Sequence, residues 1–213
     1  MTTEQAALGG TTAKRKAILD SALAIFARDG YARASIDAIA ETADVSTRTI
    51  YNHFADKAGL FAAVVTESAT AVSAAHMDQV DAILGGITSS ADLEERLIAC
   101  GVALQTIVPP EVPHWGLVQH IQADAENIPP EVMDTWRRLG PARTKRQIAL
   151  HFAELAQRGL LELDDPYTAA VHYSALASST WASPIEPAPS KARAKELMQL
   201  AVAAFLRGYA PRP

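Results

Sequence analysis

The chain has 213 residues, enough for one large or two small domains with a sizeable core, and its 49% hydrophobic and 20% charged content is ordinary for a globular protein. It holds no unbroken apolar run of about 18 residues and no charged-then-apolar leader, so neither a membrane span nor secretion is indicated. A net charge of −5 excludes a wholly basic nucleic-acid-binding domain, and the single cysteine, Cys100, excludes an intrachain disulfide and suits a reducing cytoplasm.

The charge is unevenly placed. Residues 1–60 carry seven Lys/Arg and seven acids, whereas the rest carries 12 bases and 17 acids. Any nucleic-acid footprint is therefore a focused patch, for which Lys14, Arg15, Lys16, Arg48 and Lys57 are the available cations.

Residues 1–12 are rich in Thr, Ala and Gly without an apolar period, and read as a loose tail. The first helix is expected from about Ala13 to Asp29, with Thr12 as N-cap and Gly30 as the stop. Its apolar stripe is Ile18, Leu19, Ala22, Leu23 and Phe26. Ser35 is an N-cap before Ile36, Ile39 and Ala40, which recur at helical spacing. Ala43-Asp44-Val45 breaks that helix, and Ser46 caps the next, Thr47 to Phe54. Ile50 and Phe54 lie four apart and share an inward face with Val45. Thr47, Arg48 and Asn52 point outward, with Tyr51 and His53 at the edges. A short exposed helix with these hydroxyl, guanidinium, amide, phenol and imidazole groups can meet both phosphates and base edges. The pattern is a helix-turn-helix with a core of Phe26, Ile36, Ile39, Ile50 and Phe54, closed by Tyr31.

Asp56 caps a fourth helix that begins with Lys57 and runs through Leu60, Phe61, Val64, Val65, Ala69 and Val72 to Val80 or Leu84, ended by Gly85-Gly86. Later segments also read as helices. One holds Leu93, Leu97, Ile98 and Val102, one Trp115, Val118 and Ile121, and one Met133, Trp136 and Leu139 after Pro129-Pro130. Another holds Ile148, Phe152 and Leu155 up to Gly159. Asp165-Pro166 opens a segment to about Trp181, and a last helix runs from Lys191 to Leu206. No strand-like alternation or repeat stands out, so the expected fold is all-α.

The residues Ile18-Leu19, Ala22, Phe26, Gly30-Tyr31, Ser35-Ile36, Ile39-Ala40, Ala43, Val45-Ser46, Tyr51, His53-Phe54, Lys57 and Leu60-Phe61 make the stretch from about Ala17 to Phe61 resemble the DNA-binding domain of the tetracycline-repressor (TetR) family. One position departs from the family pattern: Asp44 stands where glycine is usual, and Asp tolerates the left-handed conformation better than most residues. The resemblance covers roughly the first third of the chain. It implies a tail over residues 1–12, a DNA-binding domain over 13–60 and an effector-binding and dimerisation domain over 61–213. It further implies a homodimeric regulator, most simply a repressor, on a near-palindromic double-stranded DNA operator. Thr47, Arg48 and Asn52 are the candidate base contacts. Lys14, Ser35, Thr49, Tyr51, His53 and Lys57 are the candidate phosphate contacts.

The middle helices hold Cys100, Trp115, His120, Met133, Trp136 and Phe152, a mixture able to line an apolar pocket for a small apolar or amphipathic effector. The last two long segments are apolar around much of their circumference. Tyr173, Leu176, Ala177, Trp181, Leu197, Leu200, Ala201, Ala204 and Phe205 are the candidate dimer surface. Catalysis finds no support. His120 and Asp124 are four apart but fall short of a zinc ligand set, and no nucleophile elbow, Walker loop, H-E-x-x-H or cofactor motif occurs.

Overall fold

The computed structural model describes residues 3–106, 112–179 and 189–211, and among these every regular element is helical. The chain packs as two compact units, residues 1–71 with 110–139 and residues 72–109 with 140–213.

The first unit contains α1 (Thr3–Arg33), α2 (Ile36–Thr42), α3 (Thr47–His53), the first half of α4 (Lys57–Leu84), α6 (His114–Ala123), a 3-10 turn (Ala125–Asn127) and α7 (Pro130–Leu139). Helix α1 begins at Thr3, so the loose tail expected over residues 1–12 is corrected to helix from that point on. Extending an existing helix fixes one residue per hydrogen bond gained, which explains how α1 runs on through a segment with no apolar period. Its other end breaks at Gly30, with φ 76° and ψ 170°, as the glycine stop requires. Ile18, Ala22, Phe26, Ile39, Ile50 and Leu60 are fully buried in this unit's core, with Phe54 near the rim and Ile36 packed against it. Tyr31 closes the cluster, its ring 4.8 Å from that of Phe61 and 6.4 Å from that of Phe26.

Sequence reading had placed everything after residue 60 in one domain. By packing, the segment 110–139 belongs instead with the helix-turn-helix, and Leu117, Ile121, Ile128, Val132 and Met133 join its core. Gly116 is what permits this. A Cβ there would stand 2.7 Å from the Ala27 carbonyl oxygen, so α6 approaches α1 backbone to backbone.

The second unit contains the remainder of α4, α5 (Ser90–Thr106), α8 (Pro141–Gln157), α9 (Pro166–Ser178) and α10 (Lys191–Tyr209). Side-chain caps set the starts of α5 and α9. Asp92 accepts from the Ser89 N–H at 3.1 Å and the Thr88 hydroxyl at 2.7 Å ahead of α5. Asp165 accepts from the Thr168 N–H at 2.9 Å ahead of α9, where Pro166 sits at a position whose N–H would go unused. The core is Leu84, Leu97, Ile148, Phe152, Tyr173, Met198 and Phe205. Phe152, Tyr173 and Phe205 form an aromatic trio with centroids 5.4–5.6 Å apart.

By length and composition alone α4 could cross a membrane. Its apolarity has another use. Leu60, Phe61, Val64 and Val65 fill one core, and Val80 and Leu84 the other.

Candidate nucleic-acid interface

The site is α3 and what holds it. The turn before it is made by Asp44, the one non-glycine residue with positive φ (53°) among the described residues. Its N–H reaches the Glu41 carbonyl at 3.2 Å and the Val45 N–H reaches the Ala40 carbonyl at 3.0 Å, which closes α2 and turns the chain. Ser46 then caps α3, its hydroxyl oxygen accepting from the Thr49 N–H at 3.1 Å and lying 2.9 Å from the Thr49 hydroxyl. Ile50 is fully buried and Phe54 is 8% exposed, so one side of α3 is anchored.

The other side faces solvent. Arg48, Tyr51 and Asn52 are exposed, and Thr47, Thr49 and His53 are half-buried. Arg48 and Asn52 make no hydrogen bond or ion pair with any described residue. Their donors and acceptors are thus available at spacing i and i+4 on one face of a rigid helix.

The candidate phosphate contacts surround this face in different states. Ser35 is exposed, and its hydroxyl accepts the Ala38 N–H at 3.1 Å, capping α2. Lys14 is exposed. Its neighbours are engaged: Lys16 pairs with Asp20, and Arg15 lies over the Phe54 ring at 5.6 Å and 3.7 Å from Glu67. The contact between Arg15 and the C-cap of α3 was not legible in the sequence, where the two are 39 positions apart. Lys57 is the best-held cation. Its ammonium donates to the Ala32 carbonyl at 3.0 Å, and burial pushes its pKa down.

The residues put forward for an effector pocket divide between the units. Trp115, His120, Met133 and Trp136 belong to the first, Cys100 and Phe152 to the second. Met133, Cys100 and Phe152 are buried, and Phe152 lies within the aromatic trio. His120 packs on Gly30, where an added Cβ would meet its Nδ1 at 3.0 Å. Cys100 is not a reactive thiol, because burial raises its pKa to about 12. The Tyr173 hydroxyl donates to the Leu97 carbonyl at 2.6 Å.

The dimer candidates differ in exposure. Tyr173, Ala177, Ala201 and Phe205 are buried within the single chain, where α5, α9 and α10 cover one another. Leu200 is 58% exposed, Ala204 is exposed, and Leu176 and Leu197 are half-buried. Trp181 lies outside the described residues.

Comparison with known proteins agrees along most of the chain. Residues 18–64 match the family described as bacterial regulatory proteins, tetR family, and residues 95–211 match the AefR-like transcriptional repressor C-terminal domain. A solved structure from Mesorhizobium loti MAFF303099, assigned to the TetR-family transcriptional regulators, shares 27% identity with a TM-score of 0.78, over 94% of this chain and 98% of that one. The flavonoid-responsive regulator FrrA shares the fold at 23% identity and a TM-score of 0.65, over 94% and 98% of the two chains. So does a transcriptional regulator of Saccharomonospora viridis in complex with choline, at 20% identity and a TM-score of 0.65, over 93% and 98%. No curated protein matches the chain. With both its DNA-reading and its C-terminal segments matched, the chain belongs to the TetR family of DNA-binding transcriptional regulators, which are not enzymes.

Proposed function

We propose that the protein is a homodimeric repressor that reads a near-palindromic operator and is released by a small apolar or amphipathic effector. The observation that carries this reading is the partner-free outer face of α3, set on a core that fixes its backbone. In it, Arg48 reads a guanine, with Thr47 and Asn52 beside it. Lys14, Ser35, Thr49, Tyr51, His53 and Lys57 hold phosphates. A homodimer places two such helices on successive half-sites, and the exposed Leu200 and Ala204, with Leu176 and Leu197, supply its apolar contact.

Release requires an effector that binds the DNA-free arrangement better than the DNA-bound one. The flavonoid-responsive and choline-bound relatives support a ligand response on this fold. At 23% and 20% identity they carry no ligand over to this chain.

The test is a footprint and mobility shift on the DNA upstream of the protein's own gene, with sedimentation of the free and bound protein. The reading gives a protected near-palindrome, two chains per site, and derepression when the gene is deleted. Binding without sequence preference, or a monomer on a half-site, contradicts it. Loss of target transcription on deletion contradicts the repressor sign and favours an activator.

A further inference from the structure

Helix α10 leaves one face uncovered. At about 100° of turn per residue, Glu196, Leu200, Ala203 and Arg207 fall within roughly 60° of arc on this helix. Ala194, Met198, Ala201, Val202 and Phe205 occupy the opposite side and are buried. The four residues therefore point away from the core of the second unit. Leu200 is 58% exposed, Glu196 and Arg207 are exposed, and Ala203 is half-buried. A single exposed leucine needs no explanation. What distinguishes this stripe is its order, with an acid at one end, a base at the other, and a large and a small apolar residue between them. Within the chain Glu196 pairs with Arg193 at 2.8 Å, an exposed contact one turn away, and its carboxylate can accept from a second cation.

Two copies of one helix that pack antiparallel about a two-fold axis bring each residue level with its mirror position across that axis, so a stripe that meets itself must be self-complementary. An axis passing between Ala201 and Val202 sets Glu196 level with the partner's Arg207, and Arg207 level with the partner's Glu196. The same axis brings Leu200 onto the partner's Ala203 and the half-buried Leu197 beside the partner's Leu206. Large side chains then meet small ones, which suits helix axes about 8–10 Å apart. An axis through Leu200 would instead set Arg193 against the partner's Arg207, with like charges facing twice in each dimer. We propose that the outward stripe of α10 packs on its own copy in the first of these registers, and that the two ion pairs between Glu196 and the partner's Arg207 select a second copy of this chain as the partner. This rests on the homodimer reading above and adds to it the register and the charges that choose the partner.

The test exchanges the charges in the full-length protein: Glu196→Arg, Arg207→Glu, and the double variant. Dimer dissociation is followed by sedimentation at low and high salt, and folding by circular dichroism. Each single variant sets like charges face to face twice per dimer, so its dissociation constant should rise about tenfold at low salt, with a smaller change at high salt. The double variant regains the native affinity, although its pair with Arg193 is lost. Mixed in equal amounts, the two single variants form mixed dimers well above the random share, because each mixed dimer restores both opposite-charge contacts. A native dimer that neither single variant weakens, a double variant as weak as the singles, or random mixing overturns this register and leaves the homodimer reading standing. Should a single variant fail to fold, differently tagged Leu200→Cys and Ala203→Cys proteins, mixed under mild oxidant, decide the matter. A disulfide between them supports the register, and its absence overturns it. A native protein that stays monomeric overturns the proposal and counts against the homodimer reading itself.

Discussion

The Lys57 ammonium donates to the Ala32 carbonyl at 3.0 Å and lies 5.0 Å from the centre of the Tyr31 ring. A lysine at the first position of a helix opposes the helix dipole. Here the end of α1 supplies the compensation, and the same contacts hold α4 beside the helix-turn-helix. An ammonium has three donors, so one bond to Ala32 leaves others for a phosphate.

Lys57→Ala is expected to weaken every operator to a similar degree and flatten the dependence of log affinity on log salt by about one unit. Binding titrations across a salt series measure this. An unchanged slope would leave Lys57 as a structural tie between α1 and α4 alone.

Asp44 holds a left-handed backbone that glycine adopts without strain. Asp44→Gly relieves a cost of about 1 kcal/mol or more, partly offset by the greater freedom of the unfolded chain. The melting temperature should rise by about 1–3 °C with operator preference unchanged. A fall in melting temperature would show that the Asp44 side chain contributes more than its backbone conformation costs.

Asp81 accepts from His151 Nε2 at 2.7 Å and Gln147 Nε2 at 2.6 Å, and these bonds, His151 first, hold its carboxyl below the ordinary value of 3.8. A carboxylate whose pKa is depressed on folding contributes stability that is present above its unfolded pKa and lost as the pH falls through the folded one. The stability difference between the native protein and Asp81→Asn should be largest at neutral pH and shrink below about pH 4. Denaturant unfolding at a series of pH values reads it, and a difference independent of pH would contradict the assignment. The carboxylate is half exposed, so the effect is small.

Cys100 is 1% exposed, and burial raises its thiol pKa to about 12. Iodoacetamide at pH 8 should therefore leave the folded protein unlabelled and modify it completely in denaturant. Rapid labelling under native conditions would contradict the burial of this thiol.

The helix-turn-helix was legible because its signals are local. Ser35, Ser46 and Asp56 each cap a helix from within three or four residues, and the Ile50 and Phe54 spacing fixes which side of α3 turns outward. Gly30 ended regular helix where expected, and Asp44 took the left-handed turn that its position requires. What was not legible depends on which apolar helix meets which. Tyr173 and Phe205 read as surplus apolar surface, because sequence shows the stripe and not the helix that covers it. Met133 and Leu117 read as part of a later domain, because the contacts of α6 and α7 with the first core span about a hundred positions. The Gly116 to Ala27 approach was the one hint, and a lone glycine in a helix does not name its neighbour.

The most direct test of the DNA-reading face is the affinity of Arg48→Ala for the operator and for each single-base-pair variant, at fixed salt. The account predicts a loss of about 1–3 kcal/mol and relaxed preference at one base pair in each half-site, the rest of the specificity profile staying as it was. Uniform weakening across all sequences, with the preference at every base pair intact, would contradict it.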